Sequence, residues 1–267
     1  MLAQEMDLNA DAGESFGRWV LGADAELLPL VTTVNIACGF HAGDPANMRK
    51  SLILARDAGI SVGAHPGYPD LLGFGRRRMP VSVGDAIDYI IYQTGALYGL
   101  AATEGVRLTH VKPHGSLYGQ VSECAELAVA VARQLQSIQP GLALMVSPGE
   151  GASAVRAASL PVVLDAATDL EYDDTGTNII EPMPAAKEPE LVAERALGLA
   201  RGYITTVSGR TVPLSPQSLC VHGDRPNAPA IARAVRHRLE EEGVRVRSVF
   251  DGKHDAGARE GDHARSR

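Results

Sequence analysis

Along the chain, short apolar and β-branched runs alternate with longer segments whose apolar positions recur at helical spacing. Eight runs read as strands: Met6–Asn9, Thr33–Ala37, Ile60–Ala64, Leu108–Lys112, Leu142–Val146, Val162–Ala166, Ser218–His222 and Val244–Ser248. Asp44-Pro45 caps a helix with proline at its first position, and that helix runs to Asp57 before Gly59 stops it. Ser82, with Asp85 three residues on, opens a long helix ending near Gly105. Further helices are predicted over Cys124–Gln136, Glu150–Ala157, Glu188–Arg201 and Ala228–Glu242, the last closed by Gly243. This alternation predicts an α/β fold, a parallel sheet joined by right-handed crossovers. Eight candidate strands favour a single closed or nearly closed TIM-like β/α barrel over an open sheet. The polar, proline-containing stretch Ala167–Lys187 reads as a functional loop over one barrel end. Residues Asp251–Arg267 lack periodicity and predict a disordered tail, leaving residues 1–250 as one catalytic domain.

Composition narrows the class. Hydrophobic residues make up 45% of the 267 and charged residues 21%, a balance that supports one large core. With 25 Lys and Arg against 32 Asp and Glu the net charge is −7, so the basic footprint of a nucleic-acid binder is missing. Aromatics, at 4%, are too sparse for base stacking. The N-terminal MLAQEMDLNADAGES has neither a basic stretch nor an apolar run, and no run of about 18 apolar residues occurs. A cytoplasmic protein without membrane contact is expected, and Cys38, Cys124 and Cys220 are expected to be free thiols.

In parallel α/β folds, chemistry gathers at the carboxyl ends of the strands. Five of the eight histidines, His41, His65, His110, His114 and His222, lie in or just after a predicted strand. Residues two apart in a strand face the same side. Asp7, Asn9 and Asp11 therefore share a face, as do His110, Lys112 and His114, and Cys220, His222 and Asp224. Each set reads either as hydrogen-bonded interior polar groups or as part of a site, and three sets converging on one barrel mouth favour the site. Other motifs fail. Asp7-x-Asn9-x-Asp11 starts like a calcium loop but has Ala12 where glycine is needed. Arg49-Lys50-Ser51 lacks the glycines of a phosphate loop, and the glycines at Gly149 and Gly151 come too late for a dinucleotide fingerprint.

The segments Asn9-Ala10-Asp11-Ala12-Gly13-Glu14, Asn35 to Asp44 (NIACGFHAGD), Gly63-Ala64-His65-Pro66, Phe74-Gly75-Arg76-Arg77, His110 to Gly115 (HVKPHG) and Val221-His222-Gly223-Asp224 together resemble the LamB/YcsF family. The resemblance spans residues 6 to 250. It implies a seven-stranded barrel of the glycoside hydrolase/deacetylase type. It also implies ATP-dependent hydrolytic opening of 5-oxo-L-proline (pyroglutamate) to L-glutamate, with two partner 5-oxoprolinase subunits, B and C. ATP is then expected in the assembled complex rather than on this chain alone, as fits the missing phosphate loop. One stretch departs from the family pattern of Asp-Arg-x-Tyr followed by Pro-Arg. Here it reads Asp169-Leu170-Glu171-Tyr172 and Ile179-Ile180-Glu181-Pro182, so both arginines are replaced.

A lactam is a resonance-stabilised amide, so opening it takes an activated water, a stabilised oxyanion and a proton for the leaving nitrogen. The expected catalytic parts are Asp11 and His41 as a carboxylate–imidazole base, His65 beside them, and Lys112 with His114 as oxyanion stabiliser and proton donor. Asn9, Asn35, Arg76, His222 and Asp224 are expected to bind substrate, Arg76 taking its carboxylate with a planar fork. Two other readings use the same side chains. Asp11, His41 and His65 would suit a divalent metal in a deacetylase or amidohydrolase acting on another cyclic amide or N-acyl substrate. Alternatively, the chain is a non-catalytic component that binds substrate for its partners.

Overall fold

A computed structural model describes residues 2–251. Seven parallel strands form the barrel: β1 (Glu5–Ala12), β2 (Thr33–Ala37), β3 (Ser61–His65), β4 (Leu108–Val111), β5 (Ala143–Val146), β6 (Val162–Ala167) and β7 (Ser218–Val221). They pair in chain order, and the ring closes where Asp7 to Ala10 of β1 pair with Ser218 to Val221 of β7. The eighth predicted run does not enter the barrel. Its strand, β8 (Arg245–Val246), pairs only with Glu5 and Met6, because the ladders of β1 begin at Asp7 toward β7 and at Asn9 toward β2. Beyond β8 the chain turns under the barrel, and Phe250 plugs its base against Ala143, Met145 and Val163. Of the predicted tail, all but Asp251 lies outside the described residues.

Helices surround the strands. In α1 (Pro45–Ala58) the Asp44 side chain accepts from the amides of Ala46 and Asn47, and Gly59 ends the helix with φ 67°. In α2 (Val83–Thr103) Ser82 accepts from the Asp85 amide. The next helix, α3 (Gly115–Glu123), has no counterpart in the sequence reading, because Gly115, Gly119 and its serines blur the apolar period. It is followed by α4 (Ala125–Ile138), α5 (Glu150–Ala157), α6 (Pro189–Ala200) and α7 (Ala228–Glu241). Two small hairpins lie outside the predicted strands: Glu171–Tyr172 with Asn178–Ile179, in the stretch read as a loop, and Tyr203–Thr205 with Thr211–Pro213. Among the described residues, no helix is long and apolar enough to cross a membrane.

Strand alternation sorts the side chains into two environments. Leu8, Ala10, Val34, Ile36, Val62 and Ala64 point outward and form one core with the helices, each large aliphatic contributing ~1.5–3 kcal/mol by leaving water. Asp7, Asn9, Asp11, Thr33 and Asn35 point inward, so the β1–β2 side of the lumen is polar from base to mouth. Gly63 makes room for one of these inward residues: a Cβ there would overlap the His110 ring, which fills the lumen at that level.

Candidate active site

The carboxyl ends of the strands open into a cleft. Asp11, His65, Arg76, Lys112, His114 and His222 line it, together with Tyr118, Asp165, Leu170, Tyr172 and Glu181. Its floor is a charged network. The Lys112 ammonium, directly after β4, donates to Asp11 Oδ1 at 3.0 Å, Asn9 Oδ1 at 3.3 Å and Cys220 Sγ at 2.8 Å, and lies 3.4 Å from Asp165 Oδ2. Burial disfavours both charges, but their mutual attraction outweighs it. His65 and Lys112 hold the Asp11 carboxyl well below the usual carboxylate range, while Asp11 and Asp165 lift Lys112 well above the usual lysine value. Lysine and aspartate are therefore both ionised.

Asn9 and Asn35, expected to touch substrate, lie fully buried beneath this pair and do not reach the cleft wall. Asn35 Nδ2 donates to Asp11 Oδ1 at 2.8 Å and Asn9 Oδ1 at 2.7 Å, and Asn9 Nδ2 donates to Asp165 Oδ1 at 2.8 Å. They are positioning residues for the two carboxylates. The strand parity that put them with Asp11 is correct, but their short side chains end one layer too deep.

Three imidazoles stand above the floor. His65, at the end of β3, has Nδ1 2.7 Å from the Lys112 carbonyl oxygen and Nε2 3.3 Å from Asp11 Oδ2. His114, immediately before α3, has Nε2 2.8 Å from the Phe74 carbonyl oxygen and Nδ1 3.0 Å from His65 Nε2. His41, on the loop after β2, stacks on His114 with ring centres 3.8 Å apart and planes 6° from parallel. Its Nε2 lies 4.0 Å from Glu14 Oε1, and neither of its buried ring nitrogens has a hydrogen-bond partner. Burial, reinforced by neighbouring histidines, holds His41 and His114 well below the usual imidazole range, so both are neutral near pH 7. Burial, with the Asp224 and Asp11 carboxylates nearby, pushes Glu14 well above the usual carboxylate range. The carboxylate–imidazole contacts that form are Asp11 with His65 and Glu14 with His41. The expected Asp11–His41 pair is not made, because the β2 loop carries His41 behind His114.

On the opposite wall His222 follows β7. Its Nδ1 lies 2.8 Å from Asp169 Oδ1 and its Nε2 3.7 Å from Asp11 Oδ2. Burial pulls the His222 pKa down, but the Asp169 carboxylate outweighs it and raises the value above the ordinary one. Asp169 is itself held by Arg225, whose Nε donates to Oδ2 at 2.9 Å. The fully buried Arg225 guanidinium also donates to Glu181 Oε2 at 3.0 Å and to the Ala185 carbonyl oxygen at 2.5 Å. The loop that carries Leu170 and Glu181 is thus pinned by an arginine from another element. Arg76 and Asp224, expected to contact substrate separately, face each other with Nη1 2.8 Å from Oδ2. Arg76 lines the cleft, its guanidinium 4.9 Å from the Phe74 ring centre, and Asp224 stands behind it. Burial pushes the Cys38 thiol up to about 12 and Cys220 well above its usual range, which leaves both poor nucleophiles.

Glu14, Tyr118, Asp165, Asp169 and Arg225 have no part in the sequence assignment. Asp165 carried a usable signal, an acid inside an otherwise apolar strand, and Glu14 closes the first motif. Arg225 had none, since only folding brings it to Asp169. Among the described residues, two groups bring possible ligand atoms within 4.8 Å of one another: Glu14 with His41, His65 and His114, and Asp11 with Cys220 and His222.

Residues 6–254 match the LamB/YcsF family. The A subunit of 5-oxoprolinase from a strain of Thermus thermophilus is 45% identical over 248 residues, 91% of this chain and 99% of that protein. Its counterpart in Pyrococcus abyssi is 44% identical, covering 92% of this chain and 98% of its own. The crystal structure of a lactam utilization protein from a second Thermus thermophilus strain superposes with a TM-score of 0.81 at 44% identity, over 91% of this chain and 99% of that one. These matches run the length of the barrel and include every strand that feeds the cleft. With its motifs, its barrel and its relatives in agreement, the chain belongs to the LamB/YcsF family.

Proposed function

We propose that this chain is the A subunit of an ATP-hydrolysing 5-oxoprolinase. It carries the centre at which 5-oxo-L-proline is opened to L-glutamate, in a complex with two further subunits, B and C. The names and co-linearity of its relatives support this reading. Within the chain, the observation that carries it is the ionised Lys112–Asp11 pair, buried between the His41–His65–His114 cluster and the His222–Asp169 dyad. Hydrolysis of a lactam needs a cation, a base and an acid around one carbonyl, and these groups supply them.

In this reading the lactam oxygen lies over Lys112, whose charge stabilises the negative charge carried by that oxygen and its phosphate as water adds. The water is activated on the His65–His114 side. The C–N bond breaks and the nitrogen takes its proton from His222, which the Asp169 carboxylate keeps oriented and protonated. Arg76 offers a guanidinium to the substrate carboxylate. ATP acts in the assembled complex by phosphorylating the lactam oxygen, which makes the carbon a better electrophile. Water addition and C–N cleavage then leave an acyl phosphate, which a second water hydrolyses to glutamate and inorganic phosphate. The test is reconstitution of this chain with subunits B and C, measuring glutamate and ADP formed from 5-oxoproline. Glutamate formation that needs all three subunits and is lost in Lys112→Met is expected. Glutamate formed equally well without this chain overturns the reading.

A further inference from the structure

The three imidazoles at the mouth pose a problem of proton and charge accounting. The outer nitrogens of His65 and His114 face the carbonyl oxygens of Lys112 and Phe74. A carbonyl only accepts, so both outer nitrogens carry hydrogen, and the inner nitrogens are the atoms left to act as ligands. Those inner nitrogens, His65 Nε2 and His114 Nδ1, lie 3.0 Å apart, with Asp11 Oδ2 3.3 Å from the first. Glu14 stands beside them, 4% exposed and, among the described residues, with no hydrogen-bond donor to its carboxylate; its nearest partner is His41 Nε2 at 4.0 Å. Both His41 nitrogens are buried without a hydrogen-bond partner. A proton shared by His65 and His114 would satisfy those two rings but leave Glu14 and His41 unpartnered. A divalent cation takes both rings and Glu14, and its bound water gives one His41 nitrogen a partner.

We propose that His65 Nε2, His114 Nδ1 and Glu14 hold a divalent metal ion of the zinc class, with His41 facing its open coordination position. Three features fit. The two histidine rings are 83° apart, so a point exists in both ring planes, and their facing nitrogens are close to the ~3.3 Å separation of neighbouring ligands around tetrahedral zinc. Each ring's far nitrogen is fixed on a backbone carbonyl, the outer-shell arrangement that orients metal-binding histidines. Two imidazoles and a carboxylate form a donor set used in catalytic zinc sites, which leave the fourth position for water. The parallel stack of His41 on His114 keeps His41 out of the ion's ligand plane, and its unpartnered nitrogen hydrogen-bonds the metal-bound water instead.

The second ligand group is not chosen, because the Lys112 ammonium already compensates Asp11 and Cys220 there. The first group has no ammonium in contact with it. Its surroundings are Asp11 against His65 from β1, Arg76 and Asp224 from the rim, and His222 across the floor. The site differs from the metal set expected from sequence, since Glu14 and His114 enter it and Asp11 stays with Lys112. It sits where the lactam reading places the attacking water, and it rests on that reading only for its catalytic meaning.

The experiment is metal binding by the full chain. After dialysis against a chelator, the protein is titrated with Co²⁺ alone, and one equivalent with the intense visible absorption of a four-coordinate N/O site is expected. Zn²⁺ should displace it and raise the melting temperature. Glu14→Gln and His114→Gln should each weaken Co²⁺ binding at least 100-fold, while Cys220→Ser leaves it unchanged. Should one variant fail to fold, the other and the wild-type titration still decide. No saturable binding, binding indifferent to both variants, or binding abolished by Cys220→Ser overturns the proposal, as does a ¹⁵N spectrum showing a third proton on the His65–His114 pair of the metal-treated protein. Failure of the lactam reading looks different: stoichiometric metal with no glutamate from the reconstituted complex. Full glutamate formation by chelator-treated, metal-free complex removes the metal site and keeps the lactam reading.

Discussion

His110 and His114 follow one line of chain, each aimed into the lumen, and their environments are opposite. At the base, His110 Nε2 lies 2.6 Å from Asn35 Oδ1, its Nδ1 lies 2.9 Å from Thr109 Oγ1, and its ring stacks on Phe250. Asp7, nearby, accepts hydrogen bonds from Thr32, Thr33 and Ser218. Every polar group named there has a partner. At the mouth, both His41 nitrogens lack a hydrogen-bond partner, and the inner nitrogens of His65 and His114 lie 3.0 Å apart beside the Glu14 carboxyl, unbonded among the described residues. A buried polar group left unpaired costs ~1–3 kcal/mol, so such groups persist where a ligand or reaction uses them. Polarity alone did not separate base from mouth; satisfaction did.

The sharpest way to break this contrast is Lys112→Met at the mouth. Turnover in the complex should fall ~100-fold or more. Because Asp11 and Asp165 lose their cation, stability should also fall by ~3 kcal/mol. The double variant Lys112→Met/Asp11→Asn should recover much of the stability in urea melts and none of the turnover. Normal turnover per folded molecule would reduce the mouth to another structural layer.

Phe250→Ala tests the base. It removes the ring that closes the lumen and should cost ~3 kcal/mol in denaturant unfolding, with turnover per folded molecule retained. A specific loss of kcat there would mean that base and mouth are not separate in function.

A smaller effect is expected from Asp169→Asn. The His222 pKa is raised in the folded chain, so the stabilisation its imidazolium provides is present below about pH 6.5 and is lost as pH rises through the folded value. Removing the carboxylate lowers that value. The basic limb of the kcat–pH profile should move to lower pH, with turnover near neutrality down ~10-fold. An unmoved limb would remove His222 from the acid's role.

The smallest effect is at the base again. Burial, against hydrogen bonds that lower it, raises the Asp7 pKa from 3.8 to about 6. The native state then binds more protons than the unfolded chain between these values, and stability falls as pH rises through them. Asp7→Asn should therefore stabilise the protein by ~1–2 kcal/mol at pH 7, and the gain should fade as pH drops from 6 toward 4. A destabilised Asp7→Asn protein at pH 7 would show that Asp7 is ionised and used.

The strands, the two capped helices and the inward faces of β1 and β4 were legible in the sequence because they follow from local rules. Period-two alternation sets the face, and Asp44, Gly59 and Ser82 act on their own neighbours in the chain. The reactive residue types at strand ends were legible for the same reason. Partnership was not. Lys112 and Asp11 are 101 positions apart, Asp169 and Arg225 are 56 apart, and nothing local says that His65 will take Asp11 while His41 takes Glu14. Ring closure between β1 and β7 decides those distances, and it also excludes the eighth strand. Local sequence determined which side chains enter the lumen, because backbone geometry repeats every two residues. Only the closed barrel decided which of them meet, because charge pairing and orphaned nitrogens depend on separations of a few ångströms between strands remote in sequence.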